Sequence, residues 1–520
     1  MKRENHHQII FKNYQPNQLM LPTDIELHIP TKHLVRVVND AIDKMNIEPL
    51  LRQYKGGGTS SYHPKMMLKV FVYAYTQKLY SSRQIAKALR ENIHFMWLSG
   101  NNTPDFRTIN RFRSSIMKEI IDEIFKNVLE LLIEEGLVKL ENYFLDGTKI
   151  EANANRYTYV WKKNVQKYKA DITIKINELL TEIDRQNKAE NQLYGDRDLE
   201  ELGNEASIDP AKLEAKIKEL DARLAETNQP KLAPKVRKLK KEYLPRLQQY
   251  HLQEQLLGER NSFSKTDPDA TFMRTKEDHL KNSQLKPCYN VQLGTENQFV
   301  AGYSIHQQAS DSPCCLPHLQ KMENQSMKTP QNVITDSGYG CEETYEYLNN
   351  KEIGNYVKYS TFHQESKKHR KGNKFGFDDF NYDAKNDQFI CPAGRKLDYV
   401  ETQKDPSKTG YEIEYRIYQS KDCTACQLQD QCTRSNRNRT LSVSFRWQEL
   451  KKMAKENLSC EHGQKLRAQR SVEVESVFGQ IKQNWAFRRF MLRGIKKVNI
   501  ELGLLCIAHN LAKKAVLVTG

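Results

Sequence analysis

Two short apolar segments, each ending in an aspartate with a glycine close behind, constrain the fold of this chain more than any other feature. They are Glu141–Asp146 and Asn332–Asp336, followed by Gly147 and Gly338. A short apolar run bounded by turn residues is typical of a buried strand. Polar side chains at the ends of such strands project into the crevice at the edge of a sheet. We therefore expect an α/β fold with both carboxylates at one sheet edge, although either aspartate alone is more typical of a simple turn.

A third carboxylate comes from a segment with helical periodicity near the end of the sequence. Glu475 lies within Glu473–Lys482, and Lys482 falls two turns further along the same helical face. Glu473 is a competing candidate for the third position. The sequence therefore predicts a set of three carboxylates, two from strand ends and one from a helix.

Three carboxylates suit metal-dependent chemistry at phosphorus. Two Mg²⁺ ions about 3.5–4 Å apart activate the attacking oxygen and stabilise the leaving oxygen in such reactions. Mg²⁺ prefers hard oxygen ligands, and bound cations remove the repulsion between crowded carboxylates. We therefore expect Asp146, Asp336 and Glu475 to bind Mg²⁺, or Mn²⁺ in its place, and to catalyse phosphodiester hydrolysis or transesterification.

The balance of charge favours a polyanionic partner. The 520 residues include 81 Lys and Arg against 65 Asp and Glu, a formal net charge of +16. Lys and Arg gain free energy by displacing counterions from phosphates. Basic side chains follow the third carboxylate and also occur in a segment of short helices nearer the start of the chain. The predicted DNA contacts are Lys482, Arg488, Arg489, Arg493, Arg107 and Arg111.

Changes in composition and periodicity divide the chain into units. Short helices separated by tight turns predict a helical DNA-binding or dimerisation domain at the start. Two apolar seams in a Lys/Glu/Gln-rich stretch, with Ile172, Ile176, Leu179 and Ile183 in one and Leu213, Ile217, Leu220 and Leu224 in the other, predict an antiparallel helical hairpin. The expected units are the helical domain 1–135, the core 136–162 and 261–360, the helical-hairpin insertion 163–260, a loop-rich, cysteine-bearing insertion 361–465, and C-terminal helices 466–520.

Four of the ten cysteines have spacing that suggests a metal site. They are Cys391, Cys423, Cys426 and Cys432. A Cys-x-x-Cys pair is typical of a zinc knuckle, and in a reducing compartment metal binding is favoured over disulfides. Zinc binding and free thiols both stay open, because Cys391 has no near partner in the sequence. We expect the other cysteines to be buried thiols: Cys288, Cys314, Cys315, Cys341, Cys460 and Cys506.

Several ordered segments resemble the sequence blocks of bacterial DDE-class insertion-sequence transposases, and His63–Arg113 is similar to the helical domain that precedes their catalytic domain. The blocks are Phe144–Asn155, Ser264–Ala270, Tyr289–Gln292, Ile334–Gly340, Glu475–Lys482 and Phe487–Gly494. The resemblance implies a ribonuclease-H-like catalytic core, with the first aspartate on the first strand, the second on the fourth and the glutamate on a later helix.

One departure from the family pattern affects the third block. Many relatives carry a Tyr/Arg/Glu/Lys signature, in which Glu475 and Lys482 fit the last two positions. Ser471 occupies the Arg position and Ala468 the Tyr position. We expect a neighbouring arginine, Arg467 or Arg470, to substitute.

The resemblance implies a transposase that binds the terminal inverted repeats of its own element, pairs two ends as a homodimer, and cleaves and joins DNA without a covalent protein–DNA intermediate. Two alternatives are a DNA-binding regulator with a decayed catalytic domain and a nuclease of the same fold that does not join strands. The presence of all three carboxylates argues against decay. No apolar run approaches the roughly 20 residues that span a bilayer, so we expect no membrane contact and a cytoplasmic location.

Overall fold

The computed structural model describes residues 24–54, 61–194, 209–226, 232–275, 284–326, 328–366, 375–407, 409–424, 426–433 and 437–519. The fold is mixed α/β, with a helical N-terminal region, a central sheet, a second helical region and a second sheet. No helix in these residues is long and apolar enough to cross a membrane. Most of the polar connection predicted within the helical hairpin, and the first 23 residues of the predicted N-terminal domain, lie outside the described residues.

The helices fall before, between and after the strands of the central sheet. In chain order they are α1 (Leu34–Lys44), α2 (Glu48–Leu51), α3 (Pro64–Thr76), α4 (Ser82–Glu91), α5 (Ile93–Ser99), α6 (Phe106–Arg111), α7 (Ile121–Glu134), α8 (Lys162–Tyr194), α9 (Pro210–Glu226), α10 (Ala233–Lys238), α11 (Leu244–Leu257), α12 (Cys315–Ser326), α13 (Glu342–Asn350), α14 (Phe362–Ser366), α15 (Gln429–Cys432), α16 (Phe445–Ser459), α17 (Glu461–Arg470), α18 (Ser476–Gly479) and α19 (Ile495–Thr519). Wider π-helical turns occupy Phe112–Ile116, Leu239–Tyr243, Ser471–Glu475 and Gln480–Asn484.

The strands form two sheets and one short ladder. In chain order they are β1 (Asn142–Glu151), β2 (Tyr159–Trp161), β3 (Ser262–Ser264), β4 (Thr271–Arg274), β5 (Leu285–Glu296), β6 (Phe299–His306), β7 (Asn332–Thr335), β8 (Gly354–Val357), β9 (Asn381–Asp383), β10 (Gln388–Ile390), β11 (Lys396–Pro406), β12 (Glu412–Ser420) and β13 (Thr440–Val443). β2 and β3 pair with each other.

The central sheet has the order β4-β5-β1-β7-β8, and β6 also pairs with β5. β5 runs antiparallel to β1 and β6, whereas β7 is parallel to both β1 and β8. The start of β1 is fixed by the buried carboxylate of Glu296, which accepts the backbone N–H groups of residues 139–142 at 2.6–2.9 Å. One side chain therefore holds the strand that carries Asp146.

The N-terminal helices pack against the last long helix and share one hydrophobic core with the central sheet. α6 begins at Asp105, whose side chain accepts the N–H of Thr108 at 2.7 Å. Ser81 stands at the start of α4 but makes no capping hydrogen bond. Buried Arg113 approaches buried Glu501 of α19 at 3.9 Å.

The region between β2 and β3 has its own core and contains more helix than the predicted hairpin. α8 and α9 are joined there by a third helical stretch, α10 to α11. The buried positions of the first seam include Leu180, whereas Leu179 is only partly buried. The third stretch widens the face that α8 must bury, so the contact shifts by one residue from the predicted spacing.

The expectation that residues 361–465 are loop-rich is wrong. Residues 381–443 contain a five-stranded antiparallel sheet in the order β13-β12-β11-β10-β9, and α16 follows it. An antiparallel sheet can leave one face in water, so its strands need few apolar residues. The small core of this sheet consists of Phe380, Phe389, Leu397, Tyr418, Leu441 and Val443.

Candidate active site

Asp146 and Asp336 lie at the same level on neighbouring parallel strands. Residues 142–144 of β1 pair in register with 332–334 of β7, and the same register continued by two residues sets the two aspartates opposite each other. Neighbouring strands lie about 4.8 Å apart. Asp336 is the first residue after β7, whereas β1 continues past Asp146 to Glu151. The structure therefore brings these two predicted carboxylates together.

Glycine behind each aspartate leaves room for a turn of the backbone or a close contact. A Cβ at position 147 would overlap the side-chain amide of Gln292 and lie 2.8 Å from Oδ1 of Asp311. Oδ1 of Asp146 accepts the Gly147 N–H at 2.8 Å, and Oδ1 of Asp336 accepts the Gly338 N–H at 2.8 Å. Each carboxylate thus has one oxygen held by its own turn, and its second oxygen faces Arg470.

Arg470, the last residue of α17, bridges the two carboxylates. Its Nη2 lies 2.9 Å from Oδ2 of Asp146 and 3.7 Å from Oδ2 of Asp336. The side chains of Arg470 and Asp146 are 13% and 15% exposed, and that of Asp336 is 45% exposed. Nε of Arg470 is buried without a hydrogen-bond partner. A single guanidinium group therefore offsets part of the repulsion between the two carboxylates.

Two further cations lie around this pair. Half-buried Lys358 follows β8, and Arg467 lies one turn before Arg470 with its guanidinium 5.0 Å from the ring centroid of Phe362. Burial lowers the pKa of Lys358, and the positive charges of Arg470 and Arg467 lower it further, whereas Asp336 raises it. The surroundings of the carboxylates are therefore basic, as a site for a phosphate group requires.

The two candidate glutamates have different environments. Glu473 is 4% exposed. Its Oε2 accepts the N–H of Gln298 at 2.6 Å, and its Oε1 accepts the amide of Gln469 at 3.0 Å. Glu475, at the end of the π-helical turn, is exposed. One oxygen of Glu473 therefore serves the turn between β5 and β6 and the other serves Gln469 of α17, so Glu475 is the better candidate ligand.

The described residues contain no group of three or more His, Cys, Asp or Glu side chains arranged to hold a metal ion. The two aspartates are brought together, and Glu475 is not brought into a three-ligand group with them. The donor set still fits a divalent cation, because two hard carboxylate oxygens face one positively charged nitrogen. Arg470 contacts the same two oxygens that would hold such a cation.

Lys482 lies toward the far end of β1. Burial raises the pKa of the Cys288 thiol to about 12, and the positive charge of Lys482 is one of those that oppose the rise. Cys288 pairs with Glu151, five residues beyond Asp146 along β1. At about 3.4 Å per residue, this separation along the strand is about 17 Å. The charge of Lys482 therefore acts at the end of β1 that is remote from Asp146.

A polar network beside Asp146 was missed by the sequence interpretation. Oδ1 of Asp311 accepts hydrogen bonds from Lys149 at 3.1 Å, Asn290 at 2.8 Å and Gln292 at 3.0 Å. The hydroxyl of Tyr339 donates to Gln292. Burial raises the pKa of Tyr339, and the negative charges of Asp146 and Asp311 add to the rise. The signal was the pair Asn290-x-Gln292, whose alternation along one strand directs both amides to the same face.

The three arginines that follow the third carboxylate hold the protein's own backbone. Nε of Arg489 donates to the carbonyl of Ala152 at 3.1 Å, and Nε of Arg493 donates to that of Asn153 at 2.8 Å. Arg488 donates to the Lys482 carbonyl and to the side chain of Gln483. All three residues are exposed. Arg489 and Arg493 therefore fix the segment around residues 487–493 against the residues that follow β1. The rings of Trp485, Phe487 and Phe490 in the same stretch are buried.

Arg107 and Arg111 line an open cleft of about 630 Å³ between the N-terminal helices and residue 491. Arg83 lines it as well, and none of its lining residues in the described part of the chain is acidic. The half-exposed ring of Phe106 lies between the guanidinium groups of Arg83 and Arg107, at 5.1 and 5.7 Å from its centroid. Cation–π contacts of this kind hold arginines in place while leaving their N–H groups exposed.

Cys391, Cys423, Cys426 and Cys432 line one cavity. Sγ of Cys391 accepts the N–H of Arg395, and Sγ of Cys423 that of Arg439, each at 3.3 Å. Burial raises the pKa of Cys432, and the other three cysteines add to the rise against the opposing charge of Arg439. The four thiols are therefore neighbours. In the described residues, however, no three of them are arranged to hold a metal ion.

The remaining cysteines follow the expectation with one clear exception. Cys288, Cys314, Cys315 and Cys506 are buried, and Cys341 is half-buried. Cys460 is exposed, so the expectation that it is a buried thiol is wrong. Its Sγ accepts the N–H of Gly463 at 3.3 Å, because Cys460 stands at the start of α17, where an acceptor is needed.

Comparisons with known proteins identify two family models that match parts of the chain. A family model described as "Transposase DDE domain" matches residues 390–515, the stretch that contains α17 and Glu475. A second, described as "Transposase domain (DUF772)", matches residues 23–115, which include the helices that line the basic cleft. No curated protein and no solved structure matches the chain.

Proposed function

Because this chain belongs to the DDE-class insertion-sequence transposases, we propose that it binds the ends of its own insertion sequence and cleaves and joins DNA with Asp146, Asp336 and Glu475. The observation that carries the proposal is the pair of aspartates, level with each other on β1 and β7 and bridged by Arg470. Paired carboxylates without a bound cation are unfavourable. Metal-dependent phosphoryl transfer requires carboxylates that lie close together in this way, because they hold the metal ions.

We further propose that the catalytic core is ribonuclease-H-like. The order β6-β5-β1-β7-β8 supports this, with β5 and β6 forming an antiparallel hairpin and β7 and β8 parallel to β1. In this core Asp146 lies on the first strand and Asp336 follows the fourth strand of that order in the chain. Glu475 comes from the helical segment whose Val474 packs on Phe144 and Ile334 of the two aspartate strands.

Asp146, Asp336 and Glu475 would hold Mg²⁺ or Mn²⁺. The bound ions would activate the attacking oxygen and stabilise the leaving oxygen at phosphorus. The chain's own groups bind and orient the DNA around this point. Lys482 and the basic cleft with Arg83, Arg107 and Arg111 are positioned for backbone phosphates. Arg488, Arg489 and Arg493 keep the neighbouring segment in place and expose donors for phosphates.

The proposed partners are the terminal inverted repeats and the target DNA, bound by a homodimer that pairs two element ends. The net charge of +16 and a cleft whose described lining includes four arginines and no acidic residue support a DNA partner. Binding that depends on such contacts should weaken steeply as salt rises. Sizing of the complex on end DNA would give the number of chains that it holds.

The test is cleavage and strand transfer with purified protein, Mg²⁺ and element-end DNA. Asp146→Asn, Asp336→Asn and Glu475→Gln should each abolish both reactions while DNA binding persists. Glu461→Gln, an exposed helical glutamate paired with Lys465, is the matched control and should keep full activity. Cleavage that survives all three changes would contradict the site assignment. Cleavage without joining would identify a nuclease, and DNA binding without either reaction a regulator.

We also propose that the four neighbouring cysteines bind zinc. Two of their sulfurs accept backbone N–H groups, as thiolates at a zinc knuckle commonly do, and all four border one cavity. Zinc content of the purified chain should fall on Cys423→Ser and stay unchanged on Cys460→Ser, since Cys460 is exposed at the start of another helix. Equal zinc content in the two variants would overturn this proposal.

A further inference from the structure

We propose that Arg470 is the built-in counter-cation of the aspartate pair, holding Asp146 and Asp336 together in the metal-free protein and competing with the divalent cation for them. Metal binding then requires the guanidinium group to withdraw. The inference rests on the proposed function, because it takes the two aspartates as metal ligands. It assigns to Arg470 a positioning role that the three carboxylates alone do not describe.

The charges at the site make a counter-cation necessary. Asp146 and Asp336 are level on adjacent strands, and the side chain of Asp146 is only 15% exposed. Two like charges at this distance, partly shielded from water, disfavour the ionised pair. Arg470 is always protonated and is itself 13% exposed, so it supplies a fixed positive charge between them.

The helix around Arg470 explains why this arginine, and not its neighbour, faces the carboxylates. The π-helical turn Ser471–Glu475 follows Arg470 directly. A π-helical turn accommodates one more residue than an α-helical turn. In a regular α-helix, Ser471 would lie one turn before Glu475 on the same face. In the π-helical turn, Arg470 takes that position instead.

The same turn is fixed from both sides. Glu473 is tied to the N–H of Gln298 in the turn between β5 and β6. Val474 is buried in a cluster with Phe144 and Ile334. The backbone that carries Arg470 is thus held over the aspartate strands, and the extra residue of the π-helical turn explains the departure of Ser471 from the family signature.

The guanidinium group holds the two aspartates unequally. Its Nη2 lies 2.9 Å from Oδ2 of Asp146 but 3.7 Å from Oδ2 of Asp336, and its Nε is buried without a hydrogen-bond partner. The positive charges of Arg467 and Lys358 are close enough to act on each other and on this site. Once a divalent cation neutralises the aspartates, these charges favour the departure of Arg470 toward solvent or a DNA phosphate.

The experiment measures Mn²⁺ binding to the full chain by calorimetry, without DNA. Arg470→Gln removes the competing charge, and the Kd for Mn²⁺ should fall by about tenfold or more, which corresponds to about 1.4 kcal/mol. Arg470→Lys keeps one positive charge and should give a Kd between those of Arg470→Gln and wild type. The matched control is Arg246→Gln, an exposed arginine on α11 in the helical region between β2 and β3, and its Kd should stay at the wild-type value.

A second readout separates this role from a purely structural one. Without metal, Arg470→Gln should lower the thermal unfolding midpoint, because the aspartates lose their counter-cation, and Mn²⁺ should restore it. An equal loss with and without Mn²⁺, or an unchanged or weaker Kd, would overturn the inference. Failure of the proposed function looks different, since wild-type Mn²⁺ binding would then be insensitive to Asp146→Asn.

Discussion

Individual buried charges tie the N-terminal helices to the segment that follows the third carboxylate. Glu501 of α19 is fully buried and accepts the N–H groups of Met491 and Leu492 at 2.9 and 2.8 Å. Its other oxygen lies 3.9 Å from the guanidinium of Arg113. Burial raises the pKa of Glu501 to about 7, although Arg113 and the two backbone donors oppose the rise. The residue therefore titrates near neutrality in the folded protein.

We predict a pH-dependent stability from this carboxyl group. The folded protein holds an extra proton between the ordinary pKa of 4.5 and about 7. The contribution is therefore complete below pH 4.5 and is lost as the pH rises through 7, by up to about 3 kcal/mol. Urea denaturation of wild type and Glu501→Gln at several pH values should show a smaller loss in the variant. Glu135→Gln, which removes the charge from a partly exposed ion pair with Lys514, should keep the wild-type dependence. If Glu501→Gln lost as much unfolding free energy as wild type when the pH rises through 7, the prediction would be wrong.

At the scale of elements, the position of the strand that carries Asp146 depends on hydrogen bonds at its start as well as on pairing with its neighbouring strands. Glu296 at the end of β5 is 5% exposed and accepts four consecutive backbone N–H groups before and at the start of β1. These donors would be unpaired in an apolar interior without it. The register of β1 with β5, and hence the level of Asp146, depends on this carboxylate.

We predict that Glu296→Gln lowers the free energy of unfolding by at least about 3 kcal/mol. A neutral amide has one acceptor oxygen for four donors, and its own NH₂ group faces them. Chemical denaturation measures the loss, and Glu461→Gln, at an exposed ion pair on α17, should change stability by less than about 1 kcal/mol. Losses of equal size at the two positions would contradict the role given to Glu296.

For the whole molecule, the helical region between β2 and β3 is a unit with its own core. Its buried residues contact one another in a cluster distinct from the main core. Its two ends lie together, since the N–H of Lys162 donates to the carbonyl of Asn261 at 2.9 Å. A unit joined to the sheet at such a closed point can be removed with little effect on what remains.

We predict that a chain in which a short Gly/Ser linker replaces residues 166–256 still folds. Val165 and Leu257 are retained because they pack with Val160 and Phe263 at the junction. The unfolding midpoint of this chain should stay within a few degrees of wild type, because the main core is untouched. Replacement of α7, which belongs to the main core, is the control and should prevent folding. Aggregation of the shortened chain would show that the helical region supports the sheet.

Local pattern by itself predicted both aspartate strands, because apolar runs and short-range alternation are visible in a sequence. The predicted strand end at Asp336 is confirmed, whereas the predicted end at Asp146 is wrong, since β1 continues to Glu151. The preference for Glu475 over Glu473 came from the fit of Glu475 and Lys482 to the family pattern. The preference for Glu475 agrees with the burial of Glu473 beside Gln298. The polar, exposed strands β9–β13 were missed, because a half-solvated sheet has little apolar signal.

Only the tertiary structure decided which arginine faces the carboxylates and which other groups surround them. Arg470 contacts Asp146 because a π-helical turn follows it, and residue spacing in the sequence does not predict such a turn. Asp311 joins Lys149 and Gln292 across long separations in the chain. The physical reason is that a contact between distant residues depends on strand register and helix phase together. A shift of one residue in either turns a side chain toward a different neighbour.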